Sequence, residues 1–270
     1  MRIALTVAGS DSGGGAGVQA DLKTFHQFGV FGTSALTAVT AQNTRAVTAW
    51  EPVSPALLRA QLDALLSDLP PDAVKSGMLG TEDAVRALAE AVRRLTKPYV
   101  LDPVLVATSG DALAQDSTAA AIIKHLLPLA TLVTPNLPEA EALTGSRVRN
   151  VADLERAGRA LVSLGARAAL VTGGHLTGPD VIDVLVRRDA VRRFAHPRVD
   201  TTSTHGTGCT LSAAITAGMA LGRPLETAVE EGIDFVRRAL ASAPGLGGGR
   251  GPLNHFVPAP RGGPSTLSGG

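Results

Sequence analysis

The chain has 270 residues, 44% of them hydrophobic and 18% charged, with 25 Lys and Arg against 24 Asp and Glu. So apolar and nearly neutral a chain buries a core, which excludes wholesale disorder and a general polyanion binder, and 3% aromatic residues leave no base-stacking surface for nucleic acid. A single cysteine excludes an intrachain disulfide and a multi-thiolate metal centre, and no run of about 18 apolar residues marks a membrane span.

The apolar run from Arg2 to Ala8 predicts a buried strand that ends in the glycine loop Gly9–Gly15. It is too short for a secretory signal, so the cytoplasm is the expected compartment. Val18, Leu22, Phe25 and Phe28 have helical spacing and stop at Gly29. Thr33–Thr40 predicts a second buried strand and Val47–Val53 an edge strand. Ser54 and Pro55 supply the cap and first position of a helix. Short strands are predicted at Ala73–Ser76, Tyr99–Leu101, Leu132–Val133 and Ala168–Val171. Helices fall near 82–95, 138–143, 151–164, 207–221 and 225–241, and Val181–Val186 with Val191–Phe194 reads as a hairpin. Strands alternating with helices give parallel βαβ units and a mainly parallel sheet. One domain is expected over 1–257, and the Pro/Gly/Ser-rich stretch 258–270 reads as a flexible tail.

Several strands end in polar or glycine residues, Gly9, Gly77, Asp102, Asn136 and Gly173 among them, and open parallel sheets bind ligands beyond those ends. In Thr204–Ile215 (THGTGCTLSAAI) the N–H groups of Gly206, Thr207, Gly208 and Cys209 are the free donors of a helix N-terminus, either an anion hole or a plain glycine cap. Cys209 reads as a thiol activated by that terminus or as a small buried hydrophobe. The loop AGSDSGGGAGVQAD contains neither G-x-G-x-x-G nor a Walker A loop, but its glycines admit close approach of a ligand, and Asp11 and Asp21 add acceptors. Asp102, Asn136 and Glu139 are hard-oxygen groups suited to Mg²⁺ with a polyphosphate; alternatively Asn136 caps a helix and Glu139 is its first-turn acid. The carboxamide of Gln42 can read a ring nitrogen and an exocyclic amine together, although Gln42-Asn43-Thr44 also suits a turn.

AGSDSGGGAGVQADLKTF, TAVTAQNT, VKSGML, LDPVLVATSGD, TPNLPEAEALTG, TGGHL, THGTGCTLSAAI and RGPLNHF follow one another over most of the chain. In this the sequence resembles the hydroxymethylpyrimidine/phosphomethylpyrimidine kinases of thiamine biosynthesis, within the ribokinase-like superfamily. The resemblance implies an α/β fold, a three-layer α/β/α sandwich with a mostly parallel central sheet. It implies ATP-dependent phosphorylation of 4-amino-5-hydroxymethyl-2-methylpyrimidine and then of its monophosphate. The pyrimidine would meet Gly9, Asp21, Gln42, Met78 and Val104. Gly206, Thr207 and Gly208 would form the anion hole with Cys209 as base. Asn136, Glu139, Thr172 and Gly174 would face ATP, and Asp102 and Glu139 would hold Mg²⁺. A homodimer is also implied. Thr172 stands where relatives often carry lysine, which removes one expected cationic contact to the nucleotide. A pyridoxine/pyridoxal kinase and a non-catalytic pyrimidine-binding module are the competing readings.

Overall fold

The computed structural model describes residues 1–106, 110 and 113–260. Part of the motif LDPVLVATSGD and most of the expected tail lie outside the described residues. The elements run β1 (Ile3–Ser10), α1 (Gly17–Gln27), β2 (Phe31–Gln42), β3 (Val47–Pro52), α2 (Pro55–Asp68), β4 (Ala73–Ser76), α3 (Glu82–Arg93), β5 (Tyr99–Leu101) and α4 (Asp116–His125). After a 3-10 turn at Leu127–Leu129 come β6 (Leu132–Val133), α5 (Leu137–Thr144), α6 (Val151–Ser163), β7 (Ala168–Val171), β8 (Asp180–Arg187), β9 (Ala190–Pro197), α7 (Thr207–Ala220) and α8 (Leu225–Ala241).

The described strands form one nine-stranded sheet in the order β3-β2-β1-β4-β5-β6-β7-β8-β9. The six strands from β2 to β7 in that order pair in parallel; β3 at one edge and the β8–β9 hairpin at the other are antiparallel. This is the sandwich the sequence predicts, with β1, β2, β8 and β9 longer than expected. β1 reaches Ser10 and β2 spans Phe31–Gln42, because each continues the other's ladder as far as the Ser10–Val39 pair.

Side-chain alternation assigns the two faces. Leu5 and Val7 of β1, with Ala169 and Val171 of β7, join the core under α2, α3, α4, α5 and α6. Ala168 and Leu170 of β7 point the other way, into the core with α7 and α8, and Ala4 packs with Phe25 of α1 and Phe235 of α8. Local chemistry supports the helices: Ser54 Oγ accepts from Leu57 N–H at 3.3 Å and Thr81 Oγ1 from Ala84 N–H at 3.2 Å, each offsetting an orphan donor of a first turn. No helix among the described residues is long and apolar enough to cross a membrane.

The chain leaves β1 to build β2 and β3 on one side, then returns to place β4 on the other. That reversal opens a crevice at the carboxyl ends of β1 and β4, where open parallel sheets bind their ligands.

Candidate active site

A cavity of about 120 Å³ lies in this crevice, lined by Gly9 and Ser10 of β1, Thr40 and Gln42 of β2, and Met78 just past β4. Asp102, Asn136 and Thr172, beyond β5, β6 and β7, close the far side. The volume is close to the ~150 Å³ that holds a benzene ring in a protein core, so the space suits one six-membered ring. Gly9 is what lets the strand approach so closely. Its N–H donates to Met78 O at 3.1 Å, and a Cβ there would sit 2.8 Å from Met78 Sδ. Val104 and Met78 give the apolar wall.

Two helix N-termini converge on the same space. Gly206, before α7, is left-handed (φ +83°), and a Cβ on it would lie 1.9 Å from Gly15 O. Gly17, which begins α1, has φ +57°, and its Cβ would lie 2.4 Å from Gly9 O. Neither helix has a capping side chain or an acidic residue in its first turn, so neither dipole is offset there by the protein's own side chains. Gly206, Gly208 and Cys209 line the cavity. Thr207 does not: its hydroxyl and its N–H both donate back to Thr204 O, at 2.7 and 3.3 Å, and the expected contact is not met.

Cys209 is half-buried and accepts the N–H of Gly17. The expected thiolate is corrected by its surroundings. Burial pushes the thiol up to about 12, and Asp102 and Asp21 add to the rise against the opposing pull of Lys75. These surroundings disfavour the thiolate, despite the helix terminus.

Asp102 and Glu139 face the cavity together. Asp102 Oδ2 accepts from Ser212 Oγ at 2.9 Å and stands 3.9 Å from Lys75 Nζ. Burial raises its carboxyl to about 6 even so. Glu139 is held well above the carboxylate range by burial and by the Asp102 charge. Both sequence readings of Asn136 and Glu139 apply. They form a reciprocal capping box at the start of α5, with Asn136 Oδ1 accepting from Glu139 N–H at 3.0 Å and Glu139 Oε2 from Asn136 N–H at 2.9 Å. The same two residues line the cavity. Burial raises both acids and the Asp102 charge raises Glu139 further, a cost that a cation facing them would relieve.

Two further expected contacts are not met. Asp21 is fully buried beneath the cavity and outside its lining; Oδ2 accepts from Thr6 Oγ1 at 2.6 Å and Oδ1 from Lys75 Nζ at 2.8 Å. It neutralises a buried lysine and touches no ligand space. Burial alone would push the Lys75 ammonium down, but Asp21 chiefly holds it above its ordinary value. Gly174 is exposed and outside the lining as well, its carbonyl taken by Arg198 Nη1 at 2.8 Å.

His205 also lines the cavity. Its Nε2 lies 2.8 Å from Asp11 Oδ2, a contact across 194 residues that no local signal reveals. Asp11 also accepts the N–H groups of Gly13, Gly15 and Ala16 at 2.8–2.9 Å, which fixes the glycine loop. A late segment completes this wall. Gly249 N–H donates to Thr44 Oγ1, Arg250 N–H to Thr44 O, and His205 N–H to Gly251 O, while Pro252 bridges to His205.

A ring-sized cavity, two uncapped helix N-termini and two acids within one α/β crevice have the make-up of a small-molecule kinase. The family model for phosphomethylpyrimidine kinase matches residues 11–254, and the chain belongs to that family. It is 51% identical to hydroxymethylpyrimidine/phosphomethylpyrimidine kinase of Rhizobium meliloti over 94% of this chain and 97% of that one. It is 46% identical to the thiamine biosynthesis bifunctional protein ThiED of Geobacter sulfurreducens, over 94% of this chain and 52% of that protein. Among solved structures, pyridoxal kinase of Staphylococcus aureus in complex with AMP-PCP is similar, with a TM-score of 0.88 and 33% identity, covering 94% of this chain and 93% of that one.

Proposed function

We propose that this chain transfers the γ-phosphoryl group of ATP to the hydroxymethyl group of 4-amino-5-hydroxymethyl-2-methylpyrimidine and then phosphorylates the monophosphate to the diphosphate, for thiamine biosynthesis. The observation that carries the reading is the Gln42 amide at the wall of a ring-sized cavity. Thr40 Oγ1 has one hydrogen and gives it to Ser10 O at 2.8 Å rather than to Gln42 Oε1 at 3.3 Å. His205 Nε2, 3.5 Å from Gln42 Nε2, directs its proton to Asp11 and accepts nothing. The amide therefore keeps both a donor and an acceptor for a ligand, the pattern of a ring nitrogen beside an exocyclic amine. Pyridoxal offers the same hydroxymethyl group on a six-membered heterocycle but lacks that amine. The test is a kinase assay with both alcohols, each product followed by mass; turnover of pyridoxal alone would overturn the reading. Gln42→Leu is expected to weaken pyrimidine binding by about 1–3 kcal/mol in calorimetry, the cost of unpaired polar groups, with ATP affinity retained.

The acceptor hydroxyl is held beside Cys209 and the N–H groups of Gly206 and Gly208. Phosphoryl transfer through a loose transition state needs alignment and charge stabilisation more than a strong base, so Cys209 serves as a positioning partner for the hydroxyl, whose proton passes to an oxygen of the transferred phosphoryl group as the new P–O bond forms. Thr172 and Asn136 face the nucleotide side. Asp102 and Glu139 are the residues that would hold Mg²⁺, which takes one or two carboxylates together with substrate phosphates and spreads the charge of the transferring group. The domain over 1–257, a homodimeric state and a cytoplasmic location belong to the same proposal, the second checked by light scattering.

The acids give this assignment a pH signature. Asp102 has a folded value of about 6 against 3.8, and Glu139 is raised too, so the folded protein binds these protons more tightly than the unfolded chain. Their contribution to stability is present at low pH and is lost as pH rises through about 6. A cation reverses that loss only where the acids are ionised. In the presence of a non-hydrolysable ATP analogue, added Mg²⁺ should therefore raise Tm clearly at pH 7.5 and little at pH 5. Equal increments at the two pH values would remove Asp102 and Glu139 as its ligands.

A further inference from the structure

The cavity is lined by three acids, Asp11, Asp102 and Glu139, and among its described lining residues His205 alone can carry positive charge. Lys75 lies below, fully buried and paired with Asp21. The pyrimidine alcohol is uncharged at its reacting end. Its monophosphate brings close to two negative charges into the same acidic space. With Asp102 and Glu139 facing the metal, His205 is the side chain left to meet that charge.

The ring is built to be held still. His205 is 6% exposed, Nε2 is fixed by Asp11, and its main chain is fixed by Gly251 and Pro252. Gly15 packs against the ring so closely that a Cβ would lie 2.5 Å from His205 Cδ2. Asp11 stays below the usual carboxylate range: burial works against its charge, but the His205 contact and the N–H groups of the glycine loop outweigh it. Nδ1 makes no hydrogen bond among the described residues. An imidazole oriented by a carboxylate through one nitrogen has the other free for a ligand.

Resting on the kinase reading above, we propose that His205 binds the phosphate of the monophosphate substrate and so favours the second phosphorylation over the first. With Asp11 accepting from Nε2, Nδ1 is the nitrogen left to pair with the phosphate, accepting the O–H of its monoanion. His205 is thus a substrate-binding residue specific to the second acceptor.

The test measures kcat/KM separately for the alcohol and for the monophosphate, in the wild type and in two variants. His205→Gln retains a donor for Asp11 and removes the second nitrogen; both steps should fall, the second by at least about tenfold more, through KM for the monophosphate. His205→Asn places an amide nearer the Nδ1 position and should recover part of that ratio. The ratio of the two steps is insensitive to a general loss of folded enzyme. A ratio equal to the wild type's in both variants would overturn the proposal. Wild-type enzyme inactive on the pyrimidine alcohol would instead refute the kinase reading itself, which keeps the two failures distinct.

Discussion

Gly206→Ala is expected to destroy most of the activity and to destabilise the protein by about 2–5 kcal/mol. Two terms contribute. A non-glycine residue in the left-handed region costs roughly 1–2 kcal/mol, and overpacking typically about 1–3 kcal/mol. The second term applies because a Cβ at Gly206 would meet Gly15 O at 1.9 Å, a backbone atom that cannot swing aside as a side chain would. The structure must separate the Gly15 loop from the start of α7, and that separation pulls apart the two helix ends that share the anion site. Loss of one aligned donor in such a site costs about 10²–10³-fold in kcat, and here the donors of both helices shift together. Thermal unfolding and single-substrate kinetics check the two parts. A variant with unchanged Tm and kcat would show that the approach of α1 to α7 has no bearing on catalysis.

Lys75→Met should cost about 3–5 kcal/mol, the usual effect of stranding one partner of a buried ion pair. Both side chains are fully excluded from solvent, and Asp21 would be left with Thr6 alone. Removing the partner as well should restore much of the loss, since paired replacement by apolar groups is often close to neutral. Denaturant titration of Lys75→Met and of Lys75→Met with Asp21→Leu separates these outcomes. A double variant no better than the single would mean that Lys75 matters through Asp102 or packing rather than through Asp21.

The sequence reading located the sheet well where burial and turn chemistry agree. β4, β5, β6 and β7 are short β-rich runs bounded by Pro, Gly or Asp, and their limits coincide with those in the structure. The helix over Asp116–His125 is not predicted from the sequence, because its DSTAAAIIKH run is mostly small residues with two adjacent isoleucines and carries little helical periodicity. Site residues were legible when they sit at strand ends, as Gln42, Asp102, Asn136 and Glu139 do, because topology alone brings those ends together. They were misplaced when the decisive partner is distant. Nothing near Asp21 announces a lysine 54 residues on, so an inward acid looked like a ligand contact. His205 needed Asp11 to show its orientation. For Cys209, the helix terminus argued for a thiolate, and the two acids and the low-dielectric surroundings that decide the opposite come from other elements.

The segment that ties Gly249, Arg250 and Gly251 to Thr44 and His205 also fixes an order of assembly during synthesis. Chains emerge from the ribosome at about 5–20 residues per second and fold from the N-terminal side. The last described strand ends at Pro197 and the helices that cover the second face end at Ala241, so the sheet and both its layers are made before the segment behind His205. Until then the nascent protein has a formed scaffold and an unfinished pocket whose acids face water. The wall behind His205 is thereby the last part of the pocket to be made, after the strands and helices that carry its other residues.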